Sequence, residues 1–126
     1  MARVLIVDDD TDIVETLEMI LAQSHEVATA LNGREALDAI RTRPPDVVLV
    51  DLMMPVLDGA ALVREMRARG FPAPVIILSA TPDLAQRSAG IDAVAALRKP
   101  FDLEALERAM QLALDGRGRE PAGGAP

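Results

Sequence analysis

An α/β fold, in which a five-stranded parallel sheet carries helices on both faces, is predicted by three features of this sequence. Strand-like and helix-like patterns alternate five times along the chain, as repeated strand–helix–strand crossovers require. Val4-Leu5-Ile6-Val7, Val47-Val48-Leu49-Val50 and Val75-Ile76-Ile77-Leu78 are continuous apolar runs rich in β-branched residues, the pattern of strands covered on both faces. Each run stops at a polar residue: Asp8, Asp51 and Ser79 respectively.

Taken in order, the first run ends in Asp8-Asp9-Asp10 and precedes a helix with Ile13, Leu17, Ile20 and Leu21 along one face. Asp10 or Thr11 can cap that helix, and Asp12 favours its first turn electrostatically. Glu26-Val27-Ala28-Thr29-Ala30 is the second strand. Asn32 and Glu35 have capping-box spacing ahead of a helix carrying Ala36, Leu37 and Ile40, which should end before Pro44-Pro45. After the strand that stops at Asp51, Pro55 cannot continue a ladder and Asp58-Gly59 favours a turn. Leu62, Val63 and Met66 mark the third helix, closed by Gly70. Beyond the fourth strand, a short helix is expected from Leu84 to Ala89, stopped by Gly90, and a fifth strand over Ala93–Leu97. Asp102 caps a last helix with Leu103, Leu106, Met110 and Leu114 on one stripe. Right-handed crossovers leave few topologies, and the flavodoxin-like (βα)5 order 2-1-3-4-5 suits five strands. Residues 1–115 are read as one domain, and 116–126, rich in Gly, Arg, Pro and Ala without periodicity, as a flexible tail or linker start.

With 126 residues, half of them hydrophobic, the chain can bury the core of one ordinary domain. Only two residues are aromatic in type, both Phe, so that core must be aliphatic. A net charge of -7 argues against direct nucleic-acid binding and against an anionic membrane surface. The absence of Cys excludes a disulfide framework, a thiol nucleophile and a thiolate metal site. No apolar run approaches the roughly 20 residues of a membrane span, and no signal-peptide pattern opens the chain. These features fit a soluble cytoplasmic protein.

In a parallel sheet the carboxyl ends of all strands share one edge, which is where ligands bind. That edge collects Asp8 and Asp9 from strand one, Asp51 from strand three, Ser79 from strand four and Lys99 after strand five. Three converging carboxylates repel one another, so a raised pKa or a bound cation is expected. An all-oxygen site of this kind suits Mg²⁺. An ionised Asp51 can act as an oxygen nucleophile toward phosphorus. Mg²⁺, the Lys99 ammonium and the Ser79 hydroxyl can then share the charge of an incoming phosphoryl group.

These residues carry a family resemblance over about residues 3 to 114. Val7-Asp8-Asp9-Asp10, Asp51-Leu52-Met53-Met54-Pro55 with Asp58-Gly59, Ser79-Ala80 and Lys99-Pro100-Phe101 together resemble a CheY-like receiver domain of a two-component response regulator. The resemblance implies that Asp51 is the phosphoacceptor, and that Asp9, Asp51 and the Met53 backbone carbonyl hold Mg²⁺, with Asp8 reaching it through water. It implies Ser79 as the switch hydroxyl, Lys99 as the ion-pairing lysine and a cis bond before Pro100. It further implies a sensor histidine kinase or histidine phosphotransfer protein as phosphodonor and a downstream protein target. A monomer or a weak phosphorylation-dependent dimer is expected. One departure stands out: the family has an aromatic residue three positions before the lysine, and here that position is Ala96. The switch surface is therefore expected on the short Leu84–Ala89 helix and the fifth strand, moving by backbone shift alone. Met53, two after Asp51, and Thr81, two after Ser79, flank the chemistry and are expected to tune phosphoryl lifetime. Met53 cannot orient an attacking water, which predicts slow self-hydrolysis.

Taken singly, these residues have plainer readings. The Asp8-Asp9-Asp10 run could be a solvated helix cap, Asp51 a loop acid, Lys99 a surface lysine and Ser79 a turn cap. His25 reads as structural, the six Met residues as core filler and turn residues, and Arg64, Arg67 and Arg69 as a solvated helix face. Two rival functions fit parts of this pattern. An aspartate-nucleophile phosphatase places a second Asp two residues after the first, where this chain has Met53, so a turnover enzyme is disfavoured. A receiver-like scaffold that is never phosphorylated is supported only by Ala96. Neither G-x-G-x-x-G nor G-x-x-x-x-G-K-[ST] occurs, which disfavours a nucleotide-binding domain.

Overall fold

The computed structural model describes residues 2–54 and 56–124, with side chains described as far as residue 115. Strands β1 (Arg3–Val7), β2 (Glu26–Ala30), β3 (Val47–Asp51), β4 (Val75–Ser79) and β5 (Ala95–Arg98) alternate with helices α1 (Thr11–Leu21), α2 (Gly33–Thr42), α3 (Gly59–Ala68), α4 (Leu84–Ser88) and α5 (Leu103–Gly124). All strands pair in parallel, in the order β2-β1-β3-β4-β5 anticipated from the sequence.

The continuous apolar runs are explained by two cores. Leu5, Val7, Val48, Val50, Val75 and Ile77 face one way, against α2 and α3. Their alternating neighbours Val4, Ile6, Val47, Leu49, Ile76 and Leu78 face the other, against α1 and α5. Every residue of β3 and β4 is buried. Each fully covered Leu or Ile contributes about 1.5–3 kcal/mol over its exposed state, so these three central strands fix the sheet.

The helices start where short polar side chains satisfy their first amides. Asp10 accepts from the Asp12 amide at 3.0 Å, Asn32 from Glu35 at 2.9 Å, and Asp102 from Ala105 at 2.8 Å. The capping box at α2 is displaced by one residue, because the Glu35 carboxylate accepts from the Leu31 amide rather than from Asn32. Asp58 and Gly59 do more than turn the chain. Asp58 caps α3 by accepting from Ala61 at 2.8 Å, and Gly59 is the first helical residue. Gly70 and Gly90, at φ 82° and 84°, adopt the left-handed conformation that closes α3 and follows α4.

Several expectations need correction. β5 spans Ala95–Arg98 rather than Ala93–Leu97, because β4 begins only at Val75 and the register sets Ile76 opposite Ala95. α4 ends at Ser88. Leu103 is 51% exposed at the start of α5, and the buried stripe uses Ala109 and Ala113 beside Leu106 and Met110. On α1, Val14 is buried while Ile13 and Ile20 are only partly covered. Arg67 is no solvated face residue: its guanidinium pairs with Asp92 at 2.6 Å and donates to the Phe71 carbonyl at 2.7 Å, tying α3 to the loop before β5. His25 is structural as read, its Nδ1 accepting from the Ala2 amide. The flexible tail expected over 116–126 falls where side chains lie outside the described residues; helix α5 is assigned through Gly124.

Candidate functional site

The carboxyl edge of the sheet gathers the predicted residues because each strand runs out of apolar sequence at the same level. β1 hands over to Asp8, whose amide donates to the Ala30 carbonyl of β2 at 3.1 Å, so the backbone stays in the sheet one residue beyond the strand. The Asp8 carboxylate is fully buried. It accepts from the Asp10 amide at 2.9 Å through Oδ1 and from Lys99 Nζ at 2.6 Å through Oδ2. Asp9 is exposed and Asp10 serves the helix cap, so the three adjacent acids divide into three roles.

Asp51 closes β3 and is 6% exposed. Its Oδ1 accepts from the Met53 amide at 3.2 Å, and its Oδ2 lies 3.6 Å from Lys99 Nζ. Carboxylate oxygens of Asp8, Asp9 and Asp51 all come within 4.8 Å of one another. Burial raises the Asp51 pKa from 3.8 to about 6, with the negative charge of Asp8 adding to it; the Met53 amide and Lys99 oppose the rise. Three acids against one ammonium leave an excess of negative charge in a half-enclosed, oxygen-only cluster. A hard divalent cation fits that donor set, and Asp8, Asp9 and Asp51 are the side chains that could hold it.

Behind Asp51 the fold is tight. The Gly59 amide donates to the Leu52 carbonyl at 3.1 Å, and a Cβ on Gly59 would stand 2.6 Å from the Asp51 carbonyl oxygen and 2.9 Å from Leu52 Cα. Only glycine permits α3 to start this close to the end of β3. This contact, and not only the turn propensity of Asp-Gly, accounts for Gly59.

Ser79 is fully buried at the end of β4. Its carbonyl accepts from the Lys99 amide at 2.7 Å, and its Oγ accepts from the Thr81 amide at 3.2 Å. The Lys99–Pro100 bond is cis. Met53 is 56% exposed, two residues beyond Asp51 and joined to it through its backbone amide. Ala96 is exposed, paired with Ile77 in the register. The sequence thus brought Asp8, Asp9, Asp51 and Lys99 together and set Ser79 on the adjoining strand. It missed Asp83 and Arg87 of the β4–α4 region. Arg87 pairs with Asp83 at 3.0 Å and reaches the Met53 sulfur at 4.0 Å. Their i,i+4 spacing was visible; the crossing to Met53 was not.

Residues 4–111 match the family model described as the response regulator receiver domain. The response regulator MprA of Mycolicibacterium vanbaalenii is 41% identical over 129 residues, covering 95% of this chain and 56% of that protein. The transcriptional regulatory protein PrrA of Mycobacterium tuberculosis is 44% identical over 119 residues, covering 92% and 51%. The chain therefore spans about half the length of these curated relatives. Among solved structures, the chemotaxis protein CheY4 of Vibrio cholerae superposes with a TM-score of 0.81 at 33% identity, over 90% of this chain and 99% of that one. NtrX of Brucella abortus superposes at 0.89 with 29% identity, over 98% of this chain and 29% of that one. With the acidic cluster, the lysine and the buried hydroxyl at one edge of a 2-1-3-4-5 sheet, the chain belongs to the response regulator receiver domain family of two-component signalling.

Proposed function

We propose that Asp51 is the phosphoacceptor of this receiver domain, taking a phosphoryl group from the phosphohistidine of a sensor kinase or phosphotransfer protein. The observation that carries this is the cluster itself: a buried strand-end carboxylate flanked by two further acids and a lysine. In the transfer, an Asp51 oxygen forms a bond to phosphorus as the P–N bond to histidine breaks, and that bond's electron pair leaves with the imidazole. Lys99 carries positive charge beside both Asp51 and Asp8, and the Ser79 hydroxyl is the group that would turn toward the transferred phosphoryl oxygens. Mg²⁺, held by Asp9, Asp51 and the Met53 carbonyl with Asp8 behind, would supply charge neutralisation for the acids and the phosphoryl group. The catalysis is confined to the domain's own phosphorylation and dephosphorylation.

The added charge biases the domain toward or away from a downstream partner. Relatives named as transcriptional regulators are about twice as long as this chain, so any DNA-reading activity would belong to sequence beyond residues 1–115, with 116–126 as the start of a linker. A net charge of -7 disfavours contact of this domain with such DNA. Among the described residues, no helix is long and apolar enough to cross a membrane. The test is incubation with a small phosphodonor and Mg²⁺ followed by intact-mass measurement. A single phosphate adduct is expected, absent from Asp51→Asn. No adduct on the wild type, or one that persists in Asp51→Asn, overturns the proposal.

A further inference from the structure

A chain of contacts runs from Asp51 through Met53, Arg87, Asp83 and Thr81 to Ser79. The Met53 amide donates to Asp51 Oδ1, and the Met53 sulfur lies 4.0 Å from Nη1 of Arg87. Arg87 Nε donates to Asp83 Oδ1 at 3.0 Å, and the Thr81 hydroxyl donates to that same oxygen. The Thr81 amide in turn donates to Ser79 Oγ at 3.2 Å. One short helix, α4, is thereby tied through Arg87 to the loop after β3 and through Asp83 to the end of β4.

The bland account of Arg87 is an i,i+4 helix pair in solvent, and its exposure, 50% against 47% for Asp83, agrees with a weak bond. That account leaves the reach to Met53 unexplained, a contact between residues 34 apart that brings the guanidinium to the side chain two residues beyond Asp51. A thioether is a poor acceptor and cannot hold a guanidinium against a better one. A phosphoryl group is the better one, because it presents up to two negative charges and a fork of oxygens that match the guanidinium geometry. Lys99, 3.6 Å from Asp51, is shared with Asp8 at 2.6 Å, which leaves room for a second cation on the phosphoryl oxygens. Asp83, for its part, stands in solvent and keeps the Thr81 hydroxyl as a partner when Arg87 leaves, so its release strands no buried charge.

From these contacts we infer that Arg87 is the phosphoryl-binding residue that reads the phosphorylated state. It exchanges Asp83 and the Met53 sulfur for oxygens of a phosphoryl group on Asp51, and draws α4 toward the end of β3. The inference rests on Asp51 as phosphoacceptor, and it replaces a switch moving by backbone shift alone with one moved by a side chain.

The test follows the Arg87 Nε–H resonance and the amides of residues 84–88 by NMR before and after phosphorylation with a small phosphodonor and Mg²⁺. Intact mass is measured on the same samples. In the wild type, an adduct should appear together with a displaced Arg87 Nε–H signal and displaced α4 amides. In Arg87→Ala, the adduct should still form while the α4 displacement is largely lost; Arg87→Lys should restore part of it, as a point charge without the fork. Asp83→Ala should keep the Arg87 response, since it frees the guanidinium. Equal adduct and equal α4 displacement in wild type and Arg87→Ala overturn the inference alone. An absent adduct on the wild type overturns the phosphoacceptor assignment and this inference with it.

Discussion

The ammonium of Lys99 sits 2.6 Å from Oδ2 of Asp8, a fully buried carboxylate 91 residues earlier in the chain. The pair binds the first strand to the loop after the last, across the whole chemical edge. With Asp51 only 3.6 Å from the same nitrogen, Lys99 is the counter-charge for two acids.

Removing that nitrogen leaves Asp8 buried with a single backbone amide as partner. Lys99→Met should therefore destabilise the metal-free domain by roughly 3 kcal/mol, the low end for breaking a buried pair, because Lys99 retains some solvent contact. Urea unfolding at neutral pH measures this. A loss below the error of the extrapolation would show that Asp8 finds other compensation.

Asp51 makes the opposite contribution. Its carboxyl titrates near 6 in the folded chain and near 3.8 when exposed, so the folded state holds the proton more tightly. The resulting cost to folding is absent below about 3.8, grows between the two values and is complete above about 6. Asp51→Asn should accordingly be more stable than wild type by about 1–3 kcal/mol above pH 7 without metal. The difference should shrink as the pH is lowered toward 4. A pH-independent difference would remove titration as its cause.

Cation binding should offset the same cost, by pairing the buried Asp51 charge and shielding it from Asp8. Mg²⁺ added at about 100 times its dissociation constant stabilises by about 2.7 kcal/mol, a rise in Tm that calorimetry resolves easily. Asp9→Asn should weaken that response with little change in metal-free stability, because Asp9 is exposed. An equal response in Asp9→Asn would take Asp9 out of the ligand set.

Gly59→Ala tests the backbone contact behind the site. Its Cβ would meet the Asp51 carbonyl at 2.6 Å, and main chain cannot step aside as a flexible side chain does. A loss of about 1–3 kcal/mol is expected from overpacking, read by denaturant unfolding. Unchanged stability would mean that α3 can shift away from β3 without cost.

The lifetime of the phosphoryl group tests Met53. Its side chain is exposed and can neither orient a water nor accept its proton. Met53→Asn should shorten the half-life of the adduct, followed by intact mass over time. A half-life unchanged or longer would exclude this role.

Much of this was legible because the periodicities were strong. β1, β3 and β4 are unbroken apolar runs, and strands of that kind need a covering layer on each face, as α/β folds supply. Their end residues lay at the common edge once the strands were parallel, which is why Asp8, Asp51 and Ser79 could be assembled before any coordinates. Edges of elements were less legible. β5 is an outer strand whose start depends on where β4 begins, information that lies some twenty positions upstream. Leu103 and Val14 exchange places with their expected counterparts because helix rotation against the sheet is decided by the partner surface. In the sequence Arg67 reads as a solvated face residue and Asp83 and Arg87 attract no reading at all; their partners belong to other elements or cross between them, and sequence spacing carries no signal for such contacts.

The close approach of Gly59 to Asp51 gives the domain an uneven stiffness. On that side, main chain meets main chain with no slack, so β3 and the start of α3 must travel as one body. On the opposite side, Ser79, Thr81, Asp83 and Arg87 are joined by single hydrogen bonds, several of them in contact with solvent. A disturbance arising at Asp51 meets a wall in one direction and a hinge in the other. The route by which this molecule can signal is thus decided by a missing methyl group at residue 59 as much as by any charge.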